Sequence, residues 1–198
     1  SSGTLLFNSS IVLPFADTSP IRGRLIVPSG STETVALKLS NPVYKARKNR
    51  DIDFVLLNHG GIRASISKGD ITTRTAYNVM PFENSMVVCE LDGETVEELI
   101  NYLKLSKKAH PISGINIVLD NSYNLIEAKI NDKEISKNKI YSVATTDYLL
   151  NGGDKMDFFK KSKENTILDY KLRNILIDYF KQIDTLSFQT DNRFIIRN

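Results

Sequence analysis

The hydrophobic positions of this chain fall in short blocks whose period changes several times. Phe54-Val55-Leu56-Leu57 is a continuous apolar run of the kind that a buried strand carries. Ser85 to Leu91, Ile115 to Leu119, Leu125 to Ile130 and Ile140 to Ala144 predict further strands, the second and third paired around the polar turn Asp120-Asn121-Ser122. Phe194-Ile195-Ile196 predicts a closing strand. Between these blocks the period becomes helical. After Asp92-Gly93, the residues Val96, Leu99, Ile100 and Leu103 keep the spacing of one helix face. Thr73 to Met80 predicts a short helix stopping at Pro81, because the residue before a proline is pushed out of the helical region. Leu168, Leu172, Ile175, Leu176, Tyr179 and Phe180 predict a last helix, with Lys171 and Arg173 facing away. Upstream, Leu5-Leu6-Phe7 and Ile11 to Phe15 read as strands, and Ser31 or Thr32 caps a helix through Ala36 and Leu39 that Pro42 kinks or restarts. With no internal repeat and no low-complexity linker, the expected class is α+β, a single domain of mixed β-sheet layered with helices. Residues 1–31 are expected to be N-terminal strands and connector, and 32–198 one globular unit.

Composition narrows the functional classes. At 198 residues the chain suits one sizeable domain, and its 41% hydrophobic and 25% charged residues are ordinary for a globular protein. A formal charge of +3 is too small to argue for nucleic acid. Lys-rich stretches such as Lys45 to Arg50 read as solvated helix ends. No apolar stretch approaches the ~20 residues that a membrane-spanning helix needs. No signal peptide is visible, which leaves the compartment open because a mature chain has lost its leader. The single cysteine, Cys89, lies in an apolar run and reads as a buried small hydrophobe, so an intramolecular disulfide is impossible. High Asn and Lys usage hints at an AT-rich bacterial genome.

Three loop clusters carry candidate chemistry. The first strand runs into Asn58-His59-Gly60-Gly61-Ile62-Arg63. Paired glycines either take positive φ or admit a group that a Cβ would block, and Arg63 adds a rigid fork of donors suited to carboxylate or phosphate. Met80-Pro81-Phe82-Glu83-Asn84 sets a ring beside a proline; on these residues alone Phe82 reads as a core plug. A strand then runs through Thr146-Asp147-Tyr148 to Gly152-Gly153-Asp154, where Asp154 serves as a turn or capping residue and Tyr148 as a half-buried anchor. Together the clusters offer an arginine, an amide, an acid and two rings at loop positions. These are the groups a nucleotide pocket uses: rings stack on a base, a carboxylate accepts from ribose hydroxyls, and a guanidinium grips phosphate.

The order Asn58-His59-Gly60-Gly61-Ile62-Arg63, Met80 to Asn84, Leu91-Asp92-Gly93 and Thr146 to Asp154 resembles the C-terminal, substrate-binding domain of the 5′-nucleotidase / UDP-sugar hydrolase family, from roughly Thr32 to the end. The resemblance implies that this domain binds a nucleotide or nucleoside while a separate N-terminal domain holds two metals and hydrolyses the ester. It makes Arg63 the phosphate- or substrate-gripping arginine of a loop completed by Gly60 and Gly61, and Asn58 the amide near the reacting phosphate. It makes Phe82 and Tyr148 the rings that clamp the base, and Asp154, after Gly153, the ribose-binding acid. His59 stands where a small residue is common, Tyr148 where phenylalanine is usual, and Lys155-Met156 where a glycine and an aromatic are frequent. An arginine common just before the family's first helix has no counterpart in Ser29 to Thr34; Arg22 and Arg24 are the nearest substitutes.

A two-metal phosphoesterase centre needs several His, Asp and Asn ligands, and this chain has only His59 and His110. His110 reads as a loop histidine rather than a ligand. The expectation is therefore no catalytic residue, no metal and no cofactor on this chain, with divalent metals implied only for the catalytic domain. Three readings remain. The chain is the substrate-binding half of a split or truncated 5′-nucleotidase, since the resemblance begins almost at once and leaves no room for the first domain; or it is a stand-alone nucleoside-binding module without hydrolytic activity; or it is a purely structural descendant. The first is favoured, with a metallophosphatase domain or chain as partner and an exported location, periplasmic or at the cell surface, as the resemblance implies.

Overall fold

The computed structural model describes residues 48–66, 70–106, 108, 110–183, 185–186 and 192–197. The strands expected before residue 16, the helix through Ala36 and Leu39, the kink at Pro42 and the candidate arginines Arg22 and Arg24 lie outside the described residues.

Nine strands and four α-helices follow one another in the described chain. They are β1 (Phe54–Leu56), α1 (Thr73–Val79), β2 (Ser85–Asp92), α2 (Gly93–Ser106), β3 (Ile112–Ser113), β4 (Ile115–Asp120), β5 (Leu125–Ile130), β6 (Lys133–Glu134), β7 (Ile140–Thr146), α3 (Asp147–Leu150), β8 (Asn165–Lys171), α4 (Leu172–Phe180) and β9 (Phe194–Arg197). The protein is a single α+β domain built on two mixed sheets. The larger has the order β3-β1-β7-β2-β8 and the smaller β6-β5-β4-β9. In the larger sheet β1 runs parallel to β7, and every other pairing is antiparallel.

The centre of the larger sheet is buried on both faces, which is why β1 is apolar throughout and why Ser142, Thr145 and Thr146 of β7 are buried as well, whereas the edge strand β8 is largely exposed. One face carries Phe54, Leu56, Cys89, Leu91 and Val143 against Val96, Leu99, Ile100 and Leu103 of α2 and Ile115, Ile117 and Leu119 of β4. The other carries Val55, Met86, Val88 and Ala144 against Val79 of α1 and Leu172, Ile175 and Leu176 of α4. Successive strand residues thus feed opposite cores, as the two-residue strand period requires. The chain passes between the sheets at Gly114, whose φ of +82° is left-handed and whose missing Cβ leaves room for the Asp53 carbonyl oxygen, 2.6 Å from where that atom would stand.

The helix ends follow the expected chemistry. Thr72 caps α1 in a reciprocal box, its hydroxyl accepting from the Thr75 amide at 3.4 Å while the Thr72 amide donates to Thr75 Oγ1 at 3.1 Å. Asp92 Oδ1 accepts from both the amide and the hydroxyl of Thr95, at 2.9 and 2.7 Å, starting α2; these bonds hold the Asp92 carboxyl below its ordinary range.

Two expectations for the last helix need correction. Leu168 and Lys171 are not helical but lie in β8, and the helix begins at Leu172. The four-residue step from Leu168 to Leu172 mimics helical spacing because both side chains enter the same core across the strand–helix junction. Arg173, expected to face away, is 4% exposed. Its guanidinium finds backbone carbonyls instead of water.

Candidate functional site

Strand direction gathers the three loop clusters. Because β1 and β7 are adjacent and parallel, with Val55 opposite Ala144, their C-terminal ends lie side by side. One opens into Asn58–Arg63 and the other into α3 and the second glycine turn. Because β2 is antiparallel to β7, with Met86 opposite Thr146, the start of β2 and the preceding Met80–Asn84 segment reach the same edge. Thr145 Oγ1 donates to the Leu56 carbonyl at 2.8 Å, fastening the two parallel ends where the loops begin.

The first loop is a 3₁₀ turn, His59–Gly61, closed by the Gly61 amide donating to the Asn58 carbonyl at 3.1 Å. Of the two roles open to the glycine pair, close approach is the one used, and only at Gly61. A Cβ there would stand 2.8 Å from Asn58 Oδ1, whereas at Gly60 the nearest atom would be 3.9 Å away. Asn58 is buried and Arg63 exposed. Arg63 is held by its amide, which donates to the Val79 carbonyl at 2.9 Å, and more loosely by Nη1, 3.4 Å from the Gly60 carbonyl oxygen. Its guanidinium lies 5.5 Å from the centre of the Phe82 ring. Phe82 is 44% exposed, so the core-plug reading fails. Pro81 and the end of α1 turn the ring outward, and the core positions beside it are taken by Val79 and Met80.

The second glycine turn is built around one ring. Gly152 is left-handed (φ +86°), as is Asp154 (φ +53°). A Cβ on Gly153 would meet the Tyr148 ring at 2.5 Å. Tyr148 Oη donates to Asp154 Oδ1 at 2.9 Å and accepts from the Asp154 amide at 3.3 Å. Its hydrogen bond to the carboxylate raises the Tyr148 phenol above its ordinary value. Tyr148 is 43% exposed and so is less an anchor than a presented ring.

Two residues without an assigned role in the sequence reading join these halves. His110, on the loop before β3, is buried; Nδ1 accepts from the His59 amide at 3.3 Å, and its ring meets those of His59 and Tyr102 edge-on at 6.3 and 5.8 Å. Tyr102, on α2, donates to the Asp154 carbonyl at 2.8 Å. A continuous line therefore runs from the first loop through His110 and Tyr102 to the second. Burial, and then His59, lower the His110 pKa to about 4. Burial, and then Asp154, raise that of Tyr102. Ala109-His110-Pro111 carried no signal for this role beyond a histidine beside a proline. The helical spacing of α2 left Tyr102 outside the apolar stripe.

The two histidines do not make a metal pair. His110 Nδ1 is occupied by a backbone donor, and Nε2 is buried with no partner among the described residues. Among those residues no group of three or more His, Cys, Asp or Glu is placed to hold an ion. At this edge stand two exposed rings, Phe82 and Tyr148, the exposed Arg63 guanidinium and the half-buried Asp154, with the Asn58 amide buried against Gly61.

The sequence over residues 17–161 matches the family model described as 5′-nucleotidase, C-terminal domain. The chain belongs to that family. The match takes in all three loop clusters, His110 and Tyr102, begins upstream of Thr32, and ends before β8 and α4. Among its relatives is the trifunctional nucleotide phosphoesterase protein YfkN of Bacillus subtilis, 31% identical over 153 residues, covering 70% of this chain and 10% of that protein. Another is the cell wall protein Lmo0130 of Listeria monocytogenes, 31% identical over 142 residues, covering 64% of this chain and 18% of that protein. The crystal structure of a 5′-nucleotidase precursor from Thermus thermophilus shares the fold with a TM-score of 0.70 at 24% identity, over 84% of this chain and 35% of that one. This domain therefore spans roughly a third or less of the proteins it resembles.

Proposed function

We propose that this chain is the nucleotide- or nucleoside-binding half of a 5′-nucleotidase-type hydrolase. The base stacks between Phe82 and Tyr148, the ribose hydroxyls bond to Asp154, and Arg63 grips the phosphate with Asn58 beside it. A separate two-metal phosphatase domain or chain hydrolyses the ester, and divalent ions belong there. The observation that carries this reading is the parallel alignment of β1 and β7, which delivers both glycine loops, with the Phe82 segment, to one sheet edge. A relative named as a nucleotide phosphoesterase supports the substrate class, and one named as a cell wall protein supports an exported location. No helix among the described residues is long and apolar enough to cross a membrane.

Calorimetric titration with AMP, adenosine and UDP-glucose tests the reading. AMP is expected to bind more tightly than adenosine, and Arg63→Ala is expected to remove the difference. Equal binding of adenosine and AMP would point instead to a stand-alone nucleoside-binding module. No binding of any of the three would overturn both.

A further inference from the structure

Arg173 is a buried cation that the family match does not reach, since the matched region ends at residue 161. It enters from the first turn of α4 and spends one nitrogen on three consecutive carbonyls: Nη1 lies 3.4 Å from Met80 O, 3.2 Å from Pro81 O and 3.4 Å from Phe82 O. Nη2 pairs with Glu83 Oε1, whose own side chain is largely exposed. The Tyr77 ring covers the guanidinium, with Cζ 3.9 Å from its centre. Lys171 adds a neighbouring tie, Nζ donating to Glu83 O at 2.9 Å. Every one of these partners belongs to the last turn of α1 or to the segment that carries Phe82.

We propose that Arg173 is a positioning residue that fixes Phe82 for stacking on a planar base. A segment between a helix and a strand, interrupted by a proline that donates no hydrogen bond, has few bonds of its own to set its path. Carbonyls pointing inward there need a buried donor, and the planar guanidinium serves them with Nη1 while Nη2 reaches Glu83, a split that a point-like ammonium does not make. Burying that charge is costly unless it is paired. The carbonyls, Glu83 and the Tyr77 ring offset the cost only while the segment keeps this path. The guanidinium and the ring position are therefore coupled: moving Phe82 strips Arg173 of acceptors, and removing Arg173 leaves carbonyls unpaired. The affinity part of this inference rests on the nucleotide-binding reading; the positioning part stands by itself.

The chain contains no tryptophan, so Phe82→Trp places a single fluorescent reporter at the ring position. In the full chain, Arg173→Met is expected to add a fast component to the Trp anisotropy decay and to raise acrylamide quenching. An unchanged decay and unchanged quenching overturn the proposal, whether or not any nucleotide binds. If Arg173→Met does not fold, Arg173→Lys decides by the same two readings, since it keeps the charge and stem but loses the fork. The second arm is a double-mutant cycle on adenosine affinity without the reporter. Arg173→Met is expected to weaken binding about tenfold in the presence of Phe82 and to have no further effect after Phe82→Ala. Equal losses on both backgrounds would mean that Arg173 acts on the domain generally and would overturn the role. If the wild-type chain binds no nucleoside, the functional reading fails, and the fluorescence arm alone decides the positioning.

Discussion

Tyr148 and Asp154 hold each other at the mouth of the second glycine turn, the phenol donating to the carboxylate at 2.9 Å and accepting from the same residue's amide at 3.3 Å. The ring proposed to meet a base and the acid proposed to meet a ribose are thus one rigid unit, with one carboxylate oxygen committed to the phenol. Tyr148→Phe keeps the π face and is expected to retain adenosine binding within about threefold, whereas Tyr148→Leu loses the stack, roughly 1–3 kcal/mol or more than fivefold. Titration calorimetry on both variants checks the pair, and a loss in Tyr148→Phe equal to that in Tyr148→Leu would shift the weight from ring to hydroxyl.

The glycines separate in the same way. Gly153→Ala sets a Cβ 2.5 Å from the Tyr148 ring, so the ring must move, at an expected cost of about 1–3 kcal/mol and with loss of the Tyr148–Asp154 bond. Gly60→Ala meets nothing closer than 3.9 Å and is expected to change stability by less than about 0.5 kcal/mol. Urea melts of the two variants, one at each glycine loop, test the contrast.

Acid should weaken the domain through His110. Burial and the neighbouring His59 lower its pKa to about 4 from the ordinary 6.5, with Lys108 lowering it further while Asp154 and the nearby Leu57 backbone oppose the shift. The unfolded chain therefore binds a proton below pH 6.5 that the folded chain refuses until about pH 4, and stability falls across that window by up to about 3 kcal/mol. Above pH 6.5 the residue is neutral in both states and contributes no slope. Comparing melts of wild type and His110→Phe from pH 7 to 4 isolates the effect: the variant's slope should be shallower, and equal slopes would contradict it.

Cys89 lies wholly inside the sheet, its Sγ directed at the Val143 carbonyl at 3.4 Å, and burial pushes the thiol far above its ordinary value. A thiol reagent such as Ellman's is expected to leave the native chain unlabelled and to react once per chain in denaturant. Labelling of the native chain at the rate of a free thiol would contradict the core placement.

Much of the fold was legible because its signals are local. The run at Phe54–Leu56 is continuous where both sheet faces are buried, the strand expected at Ile140 to Ala144 lies within β7, and the stripe Val96, Leu99, Ile100, Leu103 describes α2 correctly. What failed depended on long-range partners. Arg173 looks like a surface charge until Met80, Pro81 and Phe82 supply its acceptors from more than ninety residues away. Phe82 looks like a plug because a ring beside a proline carries no mark of direction. His110 and Tyr102 join two loops distant in sequence, and no periodicity encodes such a bridge. The ordered motifs identified the family, while the line through His110 that holds them together needed coordinates.

The most direct test of the central claim, that three loops at one sheet edge form a single nucleotide site, is an AMP titration of the labelled chain followed by amide chemical shifts. The account predicts perturbations concentrated at residues 58–63, 80–84 and 148–155, saturating together with one dissociation constant. Shifts confined to one cluster would contradict it.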